Sequence, residues 1–238
     1  MPASAIRTSA LTKDFGAGRG VFGLELQVDP HQVFGLFGAE GAGKTTAVRL
    51  LMGVIRPTRG AAYVFGLDCV REAVEVKRRV GYVPAEPPDF GSTRGGEVVA
   101  YIAGLRGGVN DGDVHDLAER FDLDLGEPYR DYDEGDRQKL AIILAFMHHP
   151  ELLILDDPTR RLHPGAAQEL RSLIAEARED GATVFVGTDA TTEIQQLCDS
   201  VAVLRRGRLV RVMRVGDARG IPLDLKELEE PRRRALPP

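Results

Sequence analysis

The sequence predicts an α/β fold in which a mainly parallel sheet with flanking helices carries a phosphate-binding loop. Apolar runs of strand length alternate with segments of helical periodicity, which is typical of strands joined by crossover helices. One of these runs leads directly into a glycine-rich loop at residues 38–46. Another, residues 152–155, ends in the carboxylates of Asp156 and Asp157. Because open α/β sheets bind ligands at the carboxyl ends of their strands, these acids are candidates for a ligand site.

Length and composition limit the classes of protein to consider. The 238 residues suit one large domain with a substantial core. A net charge of −5 gives no basic field, so the composition does not support binding to nucleic acid. No apolar run approaches the roughly 20 residues of a spanning helix, and the first residues lack the apolar core of a signal peptide. We therefore expect a soluble, intracellular protein.

The cysteine and histidine content gives no sign of a disulfide or a metal site. The two cysteines, Cys69 and Cys198, fit buried thiols of a reducing compartment better than a disulfide. His148 and His149 precede a proline at an expected helix end and have no metal-ligand spacing. We expect them to be exposed or to cap that helix.

The chain before the glycine-rich loop is predicted to form an antiparallel lobe. Residues 5–11 and 21–28 have strand character, and in the second run apolar residues alternate around Glu25 and Gln27. Between these runs, Phe15 ends a turn that is rich in glycine. Its ring could lie against a flat ligand such as adenine, although taken alone it would be assigned to the core.

The glycine-rich loop matches the phosphate-binding pattern G-x-x-x-x-G-K-[ST] at every fixed position. It consists of Gly38, Ala39, Glu40, Gly41, Ala42, Gly43, Lys44, Thr45 and Thr46. A strand at residues 33–37 precedes it and a helix closed by Gly53 follows, so backbone N–H groups can converge on an anion. Lys44 would reach the terminal phosphates of a nucleotide, and the Thr45 hydroxyl would ligate Mg²⁺. The alternative, a glycine-rich turn before an ordinary helix, fits this context less well.

Downstream of this loop the pattern changes from strands to helices and back. Short strands at residues 61–65 and 79–83 flank a polar helix, and the region 85–147 then has helical character. We expect that region to be an inserted helical sub-domain. Its periodic segments are residues 96–105, 113–121 and 138–147.

The last third of the chain returns to the sheet and then ends in a tail. Residues 183–186 form a further buried strand, and residues 200–204 and 209–213 are predicted to form a hairpin. One domain is therefore expected over residues 1–220. The charged, proline-containing tail at residues 221–238 is expected to be solvated.

Four motifs, in this order, resemble those of an ABC transporter ATP-binding subunit. They are the loop at residues 38–46, the strand end at 81–84, the polar segment at 132–138 and the apolar run with its acids at 152–158. More narrowly, residues 64–68, 120–123 and 145–153 look like the bacterial drug-efflux branch of that family. The combination is far more specific than any one of the motifs.

The resemblance implies a P-loop ATPase core that pairs head to tail with a second ATP-binding subunit, identical or different. Two ATP molecules would lie between the phosphate loop of one subunit and the signature helix of the other, where Asp133 and Gly135 stand. Phe15 would stack on adenine. Asp156 would bind Mg²⁺ either directly or through a water ligand of the ion. A membrane-spanning permease would supply the translocation path and hold the chain, as a peripheral cytoplasmic subunit, at the inner face of the cell membrane.

The chain departs from the family pattern at positions that act on the terminal phosphate. The glutamate that polarises the attacking water is Asp157 here, and a displacement of about 1 Å can cost roughly a hundredfold in rate. Asp189 stands at the switch histidine and Asp133 at the signature serine, so each replaces a donor by an ionised acceptor. Ala85 takes the place of a glutamine and His163 that of an aspartate. We therefore predict Mg-ATP binding with weak hydrolysis.

Other interpretations stay open at this stage. The chain could be a fully active exporter ATPase, or a soluble ABC-type regulatory protein that is not coupled to transport. If Asp133 or Asp189 pointed at the terminal phosphate from about 4 Å, repulsion would be on the order of 4 kcal/mol at an effective dielectric of about 20. Arg160 and Arg161 could neutralise these acids across the dimer, or they could be ordinary surface arginines on a turn.

Overall fold

The computed structural model describes residues 4–215, and its architecture confirms the predicted α/β class. The predicted tail at residues 221–238 lies outside the described residues. The strands are β1 Ile6–Asp14, β2 Gly20–Leu24, β3 Gln27–Val28, β4 Val33–Phe37, β5 Arg59–Val64, β6 Leu67–Asp68, β7 Val80–Val83, β8 Leu152–Asp156, β9 Thr183–Thr188, β10 Ser200–Arg205 and β11 Arg208–Arg214.

The helices of the described part lie between these strands. They are α1 Lys44–Leu51, α2 Ala73–Arg79, α3 Gly95–Leu105, α4 Asp111–Arg120, α5 Glu134–Phe146, α6 Pro164–Glu179 and α7 Thr191–Leu197, with a 3₁₀ turn at Tyr129–Asp131. Three of them, α3, α4 and α5, follow β7 and precede β8, so they form a helical insertion between neighbouring strands of one sheet.

The N-terminal lobe is an antiparallel sheet in the order β2-β1-β5-β6, with β3 also paired to β1. The sequence predicted one strand over residues 21–28, whereas the structure has two, β2 and β3. The Glu25 side chain lies in the interruption and accepts a hydrogen bond from the Ala10 backbone N–H at 2.6 Å. Alternation of apolar residues alone could not reveal this break, because it is fixed by a contact with β1.

The main sheet has the order β11-β10-β4-β9-β8-β7, and all its pairings are parallel except the β10–β11 hairpin. Every residue of β4 and β8 is buried, as expected for parallel strands covered on both faces. Val33 and Phe37 face the core shared with the helical insertion. Phe34 and Leu36 face the core shared with the N-terminal lobe. The phosphate-binding loop therefore leaves the sheet at its centre.

The helical insertion is attached to the sheet by close packing and by charge. A Cβ atom added to Gly81 of β7 would lie 2.1 Å from the backbone oxygen of Ala145, so α5 approaches the strand where there is no side chain. Arg120 at the end of α4 binds Glu169 at 2.6 Å and Glu176 at 2.7 Å on α6. These contacts hold α5, the helix that begins after Asp133, the predicted signature position.

Two details near the insertion differ from the sequence-based expectations. The helix predicted over residues 138–147 begins four residues earlier, at Glu134, with Asp133 as its N-cap. His148, expected to be exposed or capping, is half-buried, and neither ring nitrogen has a hydrogen-bond partner among the described residues. Burial is the main reason why the pKa of His148 falls to about 4. His149 is exposed and lies 2.9 Å from Asp113.

Candidate nucleotide site

The phosphate-binding loop has the backbone geometry that its glycines predict. Gly41 and Gly43 have φ angles of 78° and 108°, a left-handed region that favours glycine. Gly38 has no room for a side chain, because a Cβ atom there would lie 2.5 Å from the backbone oxygen of Leu204. The loop therefore turns tightly from β4 into α1 and exposes backbone N–H groups at the start of the helix.

Lys44 is the first residue of α1 and is only 4% exposed. Its ammonium group donates a hydrogen bond of 2.8 Å to the backbone oxygen of Gly38, across the loop. A buried cation with a single fixed contact keeps the capacity to bind an anion inside the loop, since an ammonium group has three donors.

A cavity of about 480 Å³ opens in front of this loop and brings together most of the predicted site residues. From the predicted set it is lined by Phe15, Glu40, Gly41, Gly43, Lys44, Thr45, Thr46, Ala85, Asp157 and Asp189. The cavity is also lined by Gly18, Arg19, Gly20, Arg49 and Arg206, to which the sequence did not point. Glu86 lines it as well, and so does Arg160, one of the two arginines considered as partners of the acids. Residues from six separate parts of the chain thus meet at one opening.

The remaining loop residues hold the conformation of the loop and do not line the cavity; they are Gly38, Ala39 and Ala42. The backbone oxygen of Ala39 accepts a hydrogen bond from the N–H of Ala42 at 3.0 Å. The oxygen of Ala42 in turn accepts from Gly207 at 2.8 Å, which attaches the loop to the β10–β11 turn.

Phe15 lines the same cavity as the two acids but comes from the N-terminal lobe, directly after β1. Its side chain is 50% exposed, so it does not belong to the core. The ammonium group of Lys13 lies 5.4 Å from the centre of the ring. The ring therefore offers a free face to a flat ligand at the mouth of the cavity.

Asp156 closes the end of β8 beneath the loop. It is fully buried, and neither carboxylate oxygen has a hydrogen-bond partner among the described residues. Burial raises the pKa of Asp156 to about 6, while the neighbouring Thr45 hydroxyl and Lys44 ammonium act in the opposite direction. An unpartnered buried carboxylate beside a hydroxyl fits a bound divalent cation, which takes oxygen ligands of this kind.

Asp157 and Asp189 follow neighbouring strands and face the same cavity. The backbone of Asp157 has a φ of 46°, and its N–H donates to the oxygen of Gly187 at 2.7 Å. Burial raises the pKa of the Asp157 carboxyl, Lys44 lowers it, and Asp189 raises it again. The two carboxylates are therefore close enough to repel each other inside the cavity in front of the phosphate loop.

Asp133 and Gly135 do not line this cavity and lie apart from it, at the start of α5. The Asp133 carboxylate accepts a hydrogen bond from the backbone N–H of Asp136 at 2.8 Å, so it caps the helix. His163, predicted to replace a cross-dimer aspartate, caps α6 through Nδ1, which accepts from the N–H of Ala166 at 3.2 Å. Both side chains thus cap a helix, a structural role that the resemblance to the family did not predict.

The loop after Asp157 is tied to the helical insertion. Gln138 is buried on α5 and donates to the backbone oxygen of Pro158 at 3.0 Å. Arg161 donates to the backbone oxygen of Ala85 and lies 3.7 Å from the carboxylate of Glu134. These bonds connect the wall of the cavity to the start of α5.

The profile of the ABC transporter family matches residues 21–160 of the chain. This match runs from the antiparallel lobe through the phosphate loop and the helical insertion to the two acids of β8. The chain belongs to the ABC transporter family. Within that family it is an ATP-binding subunit, because the matched region holds the nucleotide loop.

Other ABC transporter subunits share most of the chain. The bacitracin transport ATP-binding protein BcrA of Enterococcus faecalis is 34% identical over 215 residues, which are 89% of this chain and 70% of that protein. The daunorubicin/doxorubicin resistance ATP-binding protein DrrA of Streptomyces peucetius is 33% identical over 214 residues, covering 88% and 65% of the two chains.

Solved ABC structures share the fold. An ATP-binding subunit of an ABC transporter superposes with a TM-score of 0.84 at 25% identity, covering 94% of this chain and 98% of that one. A dimeric ATP-binding cassette bound to ADP and Pi superposes with a TM-score of 0.79 at 18% identity, covering 88% and 98%. Among residues 4–215, no helix has both the length and the apolar character needed to cross a membrane.

Proposed function

We propose that this ABC ATP-binding subunit holds Mg-ATP in the cavity in front of its phosphate loop. Adenine stacks on Phe15, and the phosphates lie on the backbone N–H groups of residues 38–46 and on Lys44. Thr45 and Asp156 hold Mg²⁺, which neutralises charge on the terminal phosphates. The observation that carries this proposal is the buried ammonium of Lys44, held across the loop in the same cavity as Phe15.

We further propose that the subunit hydrolyses ATP weakly. Asp157 would have to act as the base with a side chain shorter than glutamate, at a strained backbone position. Asp189, at the switch position, presents a second carboxylate to the same cavity, and Ala85 can neither ligate Mg²⁺ nor hold a water. In a head-to-tail dimer the first residues of α5, including Asp133 and Gly135, would close over the partner's nucleotide.

The second proposed partner is a membrane-spanning permease. A groove of about 550 Å³ lies between the sheet and the insertion, with apolar walls that include Val54, Pro87, Phe90, Ile102 and Leu144. Its charged lining residues are Arg49, Lys77, Arg106, Arg137 and one acid, Glu86. This charge favours a permease segment with an apolar face and acidic flanks. Glu86 and Arg49 also line the nucleotide cavity, so occupancy of one site can affect the other.

The system is proposed to be an efflux transporter that works at the inner face of the cell membrane. This rests on the relatives named for bacitracin transport and for daunorubicin resistance. The proposed ATP-binding domain spans residues 1–220, with the helical sub-domain inserted at about 85–147 and the charged tail at 221–238 after it.

Equilibrium binding and turnover of the purified chain test this function. We expect Mg-ATP to bind to the wild-type chain, and Phe15→Ala to weaken adenine nucleotides about tenfold through lost stacking, which is worth about 1 to 3 kcal/mol. Lys77→Glu should reduce co-purification with the permease while leaving nucleotide affinity unchanged. A chain that binds no nucleotide, or that turns over ATP at about 1 per second or more, would contradict the proposal.

A further inference from the structure

Two adjacent arginines after Asp157 have different surroundings. Arg161 is half-buried and is held by the backbone oxygen of Ala85 and by Glu134. Arg160 is exposed, and within residues 4–215 its side chain has no hydrogen bond or ion pair. Arg160 nevertheless lines the nucleotide cavity. Arg161 therefore has a structural role, whereas the charge of Arg160 is available to a ligand.

The backbone of Arg160 is held beside the cavity by the turn that carries it. Its backbone N–H donates to the oxygen of Asp157 at 3.3 Å, so the two residues belong to one turn. Asp157 is in turn bonded to Gly187, two residues before Asp189. Arg160 is thus the cavity arginine on the side of the two acids.

We propose that Arg160 binds the terminal phosphate of ATP and makes this site selective for the triphosphate over the diphosphate. The inference rests on the proposed nucleotide function and adds a phosphate contact that comes from the same chain. Asp157 and Asp189 would otherwise present two negative charges to a phosphate that is itself anionic. A guanidinium suits this task, because it is always charged and its planar donors match phosphate oxygens.

The other arginines of the cavity lie at different parts of its wall. Arg19 follows the turn that carries Phe15, and Arg206 lies in the β10–β11 turn. Arg49 is in the last turn of α1, where its charge acts on Tyr82 and Asp156. None of these three belongs to the turn of Asp157, so the proposal concerns Arg160 alone.

Calorimetric titration with Mg-ATP and with Mg-ADP tests the contact. Arg160→Ala should lower the affinity for ATP about tenfold or more, the effect of one charge-assisted hydrogen bond. Its affinity for ADP should change less than about twofold, and Arg160→Lys should keep part of the difference. Arg211→Ala, which removes an exposed charge on β11, is the matched control and should leave both affinities unchanged.

The same titrations with Asp189→Asn distinguish a phosphate contact from simple screening of the acid. If Arg160 contacts the phosphate, Arg160→Ala should lower ATP affinity in the Asp189→Asn chain as well. A loss that disappears in that chain, or an equal effect on ATP and ADP, would overturn the inference and leave the proposed function standing. Failure of the wild-type chain to bind either nucleotide would overturn both.

Discussion

Substitution of Asp133 separates its two possible effects, on the stability of α5 and on the pairing of two subunits. In the structure its carboxylate accepts the Asp136 N–H at 2.8 Å and caps the helix. Asp133→Ala removes that cap and should lower the free energy of unfolding by about 1 kcal/mol. Asp133→Ser keeps a good capping residue, so its unfolding free energy should stay within about 0.5 kcal/mol of wild type.

The effect of Asp133 on ATP-dependent pairing should be smaller than the sequence alone suggested. The repulsion of about 4 kcal/mol was calculated for a free carboxylate about 4 Å from the phosphate. If the capping carboxylate lies about twice as far away, at about 8 Å, the same calculation gives a repulsion of about 2 kcal/mol. The helix N-terminus that Asp133 caps offsets part of its charge. We therefore expect Asp133→Ser to tighten pairing by about 1 to 2 kcal/mol, which is about 5- to 30-fold.

Two measurements check this prediction. Urea unfolding of the nucleotide-free chain gives the stability of wild type and both variants, and sedimentation with Mg-ATP gives the dimer dissociation constant. If Asp133→Ser were as unstable as Asp133→Ala, the capping argument would be wrong. If all three proteins paired equally well with Mg-ATP, repulsion at this position would be refuted.

Three further predictions concern stability and binding. Lys44→Ala should abolish measurable binding of Mg-ATP in a calorimetric titration, and unchanged affinity would contradict the assigned cradle. Gly81→Ala should lower the unfolding free energy by about 2 kcal/mol or more, because its Cβ atom would lie 2.1 Å from the Ala145 oxygen; a smaller loss in urea would mean that α5 can move away. Because the pKa of His148 lies near 4 in the folded chain and near 6.5 when unfolded, the unfolded state takes up its proton first as the pH falls. From pH 7.5 to 5.5 this should remove about 1 kcal/mol of stability, and His148→Leu should lose that part of the pH dependence.

The sequence was informative where burial or backbone conformation restricts residue type. The strands β4 and β8 were predicted because a strand covered on both faces must be continuously apolar. The phosphate loop was predicted because its pattern fixes glycine at Gly38, where a Cβ atom would lie 2.5 Å from the Leu204 backbone oxygen, and at Gly43, whose φ is 108°. Such constraints leave a local pattern, so no tertiary information was needed to find these elements.

The rest of the site depends on contacts between distant parts of the chain. The pairing of β1 with β3 and β5, the break at Glu25 and the partners of Arg161 are set by tertiary packing that leaves no periodic signal. Helix α7 escaped prediction because it has only seven residues and buries few of them. The capping role of Asp133 did have a local signal, because aspartate is a preferred N-cap residue. The resemblance to the family instead led to an interpretation of Asp133 as a replaced signature serine.

The most direct test of the proposed weak hydrolysis is the steady-state turnover of Mg-ATP by the chain with its proposed permease, measured beside a restored variant. That variant carries Asp157→Glu, Asp189→His and Asp133→Ser, which return the general base, the switch donor and the signature hydroxyl. We expect wild-type turnover well below about 1 per second and a gain of tenfold or more in the restored chain. Wild-type turnover at or above that rate, or no gain on restoration, would contradict the assignment of Asp157 and Asp189 as the cause of a weak ATPase.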